Sequence, residues 1–217
     1  YETILTCRDK RKTCNALKML SEVCTIPEYR EEKVENGDVN FPVICKKTDG
    51  RSSQGLKKIS DRNEFSFFAE RNDLNAYLIQ PFIEGNIITV DVVRDPWSGR
   101  CVAVARRELL RTLNGAGISV HVFRDPKLES VCGKIADILG IWGCVNFEFI
   151  EAGDTKYFLE CNPRFSGGVK FTCMSGYDCI SNHLRCFQGK SIEGEGEIIS
   201  QYIARKYEEY VMRMEDK

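Results

Sequence analysis

Phe147-Glu148-Phe149-Ile150, a short polar break, and then Tyr157-Phe158-Leu159-Glu160-Cys161-Asn162-Pro163-Arg164 form the stretch whose reading decides the fold of this chain. Two apolar runs separated by Ala152-Gly153-Asp154-Thr155 predict a β-hairpin, and an odd loop length sets Glu148 opposite Glu160 across the ladder. Side chains alternate faces with period two, so Glu160 and Asn162 share a face, which Glu148 joins in that register. The opposite face is then oily, with Phe147, Phe149, Tyr157, Leu159 and Cys161.

Two carboxylates facing one another in a half-buried sheet repel unless a cation or a proton sits between them. An oxygen-only set of Glu148, Glu160 and Asn162 suits magnesium or manganese, which keep several waters and complete their shells with nucleotide phosphates. The competing reading is a solvated sheet face that happens to carry acids. The second glutamate, the apolar opposite face and the adjoining Pro163-Arg164 favour the metal.

The rest of the sequence sets the frame for this hairpin. At 217 residues and 42% hydrophobic, the chain can bury a substantial core as one large domain or two small subdomains. A net charge of −1, from 31 basic and 32 acidic residues, points to neither nucleic acid nor an anionic membrane as the main partner. No apolar run approaches the roughly 20 residues of a membrane span, and no signal peptide is read at the start. The chain opens on Tyr1 without Met, and Thr3-Ile4-Leu5-Thr6-Cys7 reads as the end of a strand, so preceding sequence is expected. Eleven scattered cysteines with no C-x-x-C pair, beside only two histidines, make poor zinc spacing. They fit reduced thiols in a cytoplasm.

Asp9 is expected to cap a helix reaching about Glu22, with an apolar stripe of Ala16, Leu17, Leu20, Val23 and Cys24. Its first turn carries Lys10, Arg11 and Lys12, the wrong sign for a helix N-terminus, which suggests an anion there. The plain alternative is a turn of solvated lysines. After a polar connection from Tyr29 to Asn40, Phe41 to Lys46 reads as a strand ending in lysine. Lys47 to Gly55 follows, including Ser52 and Ser53, and then another short strand. Such a hairpin can cover phosphates with backbone N–H groups. It is not a Walker loop. Ser60 to Arg71 is expected to be a helix. Ala76 to Phe82, Asn86 to Asp95 and Cys101 to Arg107 are read as strands, and a helix capped by Asp125 runs to about Leu139. Short helices near Gly167 to Met174 and Ile180 to Phe187, and a strand from Ile198 to Tyr210, complete the reading.

In this order, Asp9-Lys10, Pro42-Val43-Ile44-Cys45-Lys46 with its Gly-Ser loop, Gln80-Pro81-Phe82-Ile83-Glu84-Gly85, Asn146-Phe147-Glu148, and Glu160-Cys161-Asn162-Pro163-Arg164-Phe165-Ser166-Gly167-Gly168 resemble the ATP-grasp superfamily. The resemblance is to its carbamoyl-phosphate-synthetase-like and biotin-carboxylase-like carboxylate-amine ligases and covers about Asp9 to Phe187. It implies an α+β fold of two subdomains, a small lid and a larger base, with mostly antiparallel sheets and ATP between them. Residues 1–24 would form a linker helix, 25–79 the lid and 80–217 the base with the metal site. The family's preceding Rossmann-like domain is expected from the same full-length protein.

By matching positions, the resemblance places Lys10 and Lys46 on ATP phosphates under a loop with Ser52, Ser53 and Gly55. Gln80, Pro81, Phe82 and Ile83 would hold the adenine, with Glu84 and Asp91 at the ribose or orienting a lysine. Glu148, Glu160 and Asn162 would ligate Mg2+ or Mn2+, with Asn146 replacing Glu148 if the hairpin register differs. Arg164 would bind the γ-phosphate or an acyl phosphate, with Arg107 as its partner. The implied activity is ATP-dependent ligation through an acyl phosphate. A non-catalytic nucleotide-binding module and a kinase on the same fold are the alternatives. Expected partners are a small-molecule carboxylate and an amine, with room for a homodimer.

Overall fold

Asp9 ends one helix and begins the next, its carboxylate accepting hydrogen bonds from the backbone N–H groups of Arg11 and Lys12 at 2.9 and 3.0 Å. The structure, a computed structural model, describes residues 1–50, 55–112, 115–194, 196–209 and 211. Its elements in chain order are α1 (Glu2–Arg8), α2 (Lys10–Leu17), β1 (Cys24–Thr25), α3 (Glu31–Glu35), β2 (Val43–Lys47), β3 (Lys57–Ile59) and α4 (Arg62–Ala69). A 3-10 turn (Leu74–Ala76) leads into β4 (Tyr77–Pro81), β5 (Asn86–Arg94), β6 (Cys101–Arg111), β7 (Gly117–Phe123) and α5 (Pro126–Ile138). The chain continues through β8 (Gly143–Ala152), β9 (Thr155–Asn162), α6 (Val169–Met174), α7 (Cys179–Phe187) and β10 (Gln201–Ala204).

Two sheets result, a large one in the order β1-β9-β8-β5-β6-β7-β10 and a small one in the order β3-β2-β4. Among the described residues every pairing is antiparallel except β1 with β9. One face of the large sheet packs Ile88, Val90, Phe147, Phe149 and Phe158 against Leu17 of α2 and Leu128, Cys132 and Ile135 of α5. The other face is split. Toward α6 and α7 it carries Val93, Val102, Val104 and Cys144, while at its other end stand polar residues of the candidate site. The small sheet has its own core of Val34, Val43, Cys45, Ile59 and Phe65, supplied by α3 and α4 as well as its strands.

The hairpin register forms by an unexpected route. Ala152 pairs with Thr155, so Gly153-Asp154 is a two-residue turn rather than an odd loop. Continued regularly, that register sets Leu159 against Glu148. A β-bulge absorbs Leu159 instead, and Glu148 pairs with Glu160 and Asn146 with Asn162. The bulge also corrects the expected oily face. Phe158, not Tyr157 or Leu159, lies against Phe149, with its ring 5.5 Å from Phe149 and 5.9 Å from Phe147 in edge-on contacts.

Other expectations differ in detail. Thr3 to Cys7 is helical in α1, not a strand end. Cys7 is buried beside the hairpin core, and so short an apolar run does not by its pattern distinguish helix from strand. α2 stops at Leu17 rather than near Glu22, although Leu20 and Val23 still pack on the core. The polar connection after Tyr29 contains α3. β6 runs on to Arg111, and β7, unforeseen, pairs with it and with β10. β10 is shorter than the span from Ile198 to Tyr210, of which Tyr210 lies outside the described residues. No helix among the described residues is long and apolar enough to cross a membrane.

Candidate functional site

Where the small sheet faces the polar end of the large one, a cavity of about 270 Å³ opens. Its apolar walls are Ile26, Ile44, Ile83, Ile87, Ile150 and Leu159. Gln80, Pro81 and Phe82 close one side as β4 leaves the small sheet. Gln80 is buried and donates to the Ile26 carbonyl at 2.9 Å, and Lys58 sits 3.7 Å over the Phe82 ring. Gly85 follows, where a Cβ would collide with the carbonyl oxygen of Glu151 in β8. Only glycine lets the connection cross the large sheet that closely.

Cations enter this cavity from three directions. Lys10, at the start of α2, is almost wholly buried, donates to the Gly50 carbonyl at 2.6 Å and lies 3.2 Å from Glu160. Lys46 projects from β2, and burial pushes its ammonium below the ordinary lysine range despite the nearby acids Glu160 and Glu148. Arg111, near the end of β6, is 3.4 Å from Glu148 and donates to the Gly115 carbonyl at 2.9 Å. Of the remaining basic residues in the first turn of α2, Arg11 is answered within the protein, by Glu28 at 2.7 Å.

The acids occupy the floor. Burial, and then the charge of Glu160 across the ladder, raise the Glu148 carboxyl above the usual carboxylate range. Asn162 donates to Glu160 at 2.9 Å and to the Asn146 side-chain oxygen at 3.3 Å. Among the described residues no group of three or more His, Cys, Asp or Glu is placed to hold a metal, so the oxygen set is two carboxylates and a carboxamide. A second, polar cavity of about 340 Å³ adjoins the first and shares Arg111, Glu148 and Glu160 with it. Asn162, Arg164 and the backbone at Gly167 and Gly168 line its far side.

The structure therefore brings Lys10, Lys46, Gln80, Pro81, Phe82, Ile83, Glu148 and Glu160 to one cavity, and Asn162 and Arg164 to its neighbour. It does not bring Arg107 there. Arg107 alternates with Arg106 along β6 and points to the opposite face, where it pairs with Glu151 at 2.7 Å and stacks on Phe123. Asp91 lies beneath the site, fully buried, paired with Arg106 and accepting from the Thr172 hydroxyl at 2.7 Å. Glu84 is exposed and lines neither cavity. Gly55 approaches the Lys47 side chain, and Ser52 and Ser53 lie outside the described residues. Sequence reasoning missed Arg111, Arg106, Glu108 and Thr89. The alternation of β5 and β6 would have revealed Thr89 and Arg106, whereas Arg111 reaches the site through irregular pairing after Glu108.

Comparison with known proteins agrees with this architecture. The carbamoyl phosphate synthase large chain of Clostridium perfringens is 26% identical over 175 residues, covering 73% of this chain and 16% of that protein. This chain thus spans about a sixth of the length of such relatives. The biotin carboxylase–β,γ-ATP complex of Campylobacter jejuni superposes with a TM-score of 0.77 at 20% identity, over 93% of this chain and 50% of that one. The biotin carboxylase domain of Hydrogenobacter thermophilus 2-oxoglutarate carboxylase, in complex with MgADP, ADP and bicarbonate, gives 0.76 at 19% identity, over 93% and 50%. At such identity these two likenesses show the fold. A family model described as "ATP-grasp in the biosynthetic pathway with Ter operon" matches residues 73–209. With more than half of its length matched by that model, the chain belongs to the ATP-grasp family.

Proposed function

We propose that this chain is the nucleotide-binding and catalytic core of an ATP-dependent carboxylate-amine ligase. The observation that carries this reading is the convergence of Lys10, Lys46 and Arg111 with Glu148, Glu160 and Asn162 where an apolar cavity meets a polar one. The apolar cavity, with Gln80 to Ile83 on one side, takes the adenine, and Lys10 and Lys46 take the phosphates. Residues 25–79, including Ser52, Ser53 and Gly55, act as the lid over the base formed by 80–217, with 1–24 as the N-terminal linker of the unit. Arg111 and Arg164, rather than Arg107, face the reacting phosphoryl group.

A divalent cation, Mg2+ or Mn2+, fits Glu148, Glu160 and Asn162. Burial, and after it the facing charge of Glu160, raise the Glu148 carboxyl, a penalty that such a cation would relieve. When bound, it neutralises phosphate charge. The protein's own groups position the phosphates and exclude water, and no covalent protein nucleophile is required. Transfer of the γ-phosphoryl group to a carboxylate oxygen leaves ADP and an acyl phosphate. The amine nitrogen then bonds to the acyl carbon, phosphate departs and the amine loses a proton. The binding of MgADP by the Hydrogenobacter enzyme supports the nucleotide and the ion. The greater length of the relatives supports a longer native protein, in which the expected N-terminal domain would lie, and the dimer of the Hydrogenobacter domain leaves room for a homodimer. Free, largely buried thiols favour a cytoplasmic setting.

The test is nucleotide-dependent stability and turnover. A non-hydrolysable ATP analogue should raise the melting temperature only with magnesium or manganese present. Glu160→Gln should remove that metal dependence together with ADP release. An equal shift in EDTA overturns the metal assignment, and unchanged ADP release in the variant overturns the catalytic one. Trapping of an acyl hydroxamate distinguishes a ligase from a kinase.

A further inference from the structure

Among the described residues, Glu108 is the one acid lining the polar cavity that the proposed chemistry does not use. Its side chain is only 4% exposed, yet Oε2 has no hydrogen-bond partner among the described residues. The nearest cation does not answer it. Arg106 directs Nη1 to Asp91 and Thr172 and Nη2 to Ser166 at 2.6 Å, leaving only Nε toward Glu108, 3.6 Å from Oε1. That is too long for a hydrogen bond, and Nε too is without a hydrogen-bond partner among the described residues. Two buried carboxylates, Asp91 and Glu108, thus share one guanidinium and leave a negative charge in surplus.

The other cations lining the cavity are engaged elsewhere, Arg111 with Glu148 and the Gly115 carbonyl, and Arg164 with the Phe165 carbonyl. Gly117, across from β6, lets the carboxylate seat here at the edge of the cavity, because a Cβ there would overlap Oε2. A buried, unpaired carboxylate beside an open polar cavity is costly until a donor arrives. A neutral hydroxyl would supply a hydrogen bond, but only a cation balances the charge as well.

We propose that Glu108 is the specificity residue of the polar cavity and holds a protonated nitrogen of the substrate, an ammonium or amidinium group. The inference rests on the polar cavity being the acceptor side of the proposed ligase. Glu108 acts there by selecting and orienting. It is distinct from Glu148 and Glu160, which face the nucleotide.

The experiment titrates probe molecules into the isotopically labelled full chain and follows the amide resonances of Gly117 and Gly168. Ethanolamine is compared with ethylene glycol, and lysine with norleucine, in wild type, Glu108→Gln and Glu108→Asp. Saturable shifts are expected with the cationic member of each pair, weakened about tenfold to a hundredfold in Glu108→Gln. Glu108→Asp, which keeps the charge, should retain the preference. Equal response to the neutral partner, no saturable shift in wild type, or an unchanged affinity in Glu108→Gln overturns the proposal. Stabilisation by magnesium and an ATP analogue, measured on the same samples, reports fold integrity. It also separates the two readings. Cation binding without a nucleotide response sinks the ligase but leaves Glu108 as a cation site, and the converse sinks Glu108 alone. If Glu108→Gln does not fold, the paired probes on wild type still decide.

Discussion

Glu148 and Glu160 are direct partners across the β8–β9 ladder, and each is met by a different cation, Arg111 at 3.4 Å and Lys10 at 3.2 Å. The two cations come from distant parts of the chain, one from the end of β6 and the other from the start of α2. The acid pair thus joins the N-terminal helix to the large sheet at the place where the small sheet closes over both.

The raised Glu148 carboxyl makes stability depend on pH in a definite direction. A carboxyl whose folded pKa lies above its unfolded value near 4.5 stabilises the fold below that value, and the contribution is lost as pH rises through the folded pKa. In EDTA, Glu148→Gln should therefore be more stable than wild type at neutral pH, with the difference vanishing toward pH 4.5. A gain of about 1 kcal/mol corresponds to a melting-temperature rise of roughly 2–4 °C for a chain of this size. Thermal melts across pH 4 to 8 check it.

Arg106 and Arg107 are neighbours in sequence and should differ sharply on substitution. Arg106→Met strands Asp91 in the interior, and loss of one partner from a buried pair costs about 3–5 kcal/mol. Arg107→Met removes a partly exposed pair with Glu151 and should cost no more than about 1 kcal/mol. Urea unfolding of the two variants provides the comparison.

Arg111 lines both cavities, and its side chain is 27% exposed. Arg111→Ala should leave the melting temperature nearly unchanged while lowering ADP release by about tenfold to a hundredfold, the scale of one charge-assisted hydrogen bond. Steady-state assays at saturating nucleotide would show it.

Gly85 tests the connection between the two sheets. Gly85→Ala introduces a Cβ against the Glu151 carbonyl, an obstacle in the backbone that no rotamer relieves. The expected loss is about 1–3 kcal/mol, as for overpacking elsewhere. Weaker nucleotide affinity should accompany it, because Gln80 to Ile83 move with the connection. Denaturant melts and nucleotide titration measure the two effects.

Much of the site was legible because its residue types stand on regular elements with clear periodicity. Asp9 caps its helix, Lys46 faces the cavity from β2, and Glu148 meets Glu160 as the hairpin pattern suggested. Arg107 misled because β6 was read as ending there. With only that much strand the existence of β7 is not apparent, although its alternation already sets Arg106 and Arg107 on opposite faces. Asp91 likewise has the composition of a ligand-binding residue, and only its burial against Arg106 and Thr172 shows otherwise.

The sequence by itself determined most of the longer strands and helices, the pairing of acids in one hairpin and the family to which the pattern belongs, because period and capping are local properties of the chain. The tertiary structure alone decided which side chains share the site. A bulge at Leu159 keeps Glu160 opposite Glu148 despite a two-residue turn, and irregular pairing after Glu108 turns Arg111 to the same cavity. One extra residue in a ladder changes the face of everything beyond it, and whether a strand accommodates that residue depends on the partners it packs against.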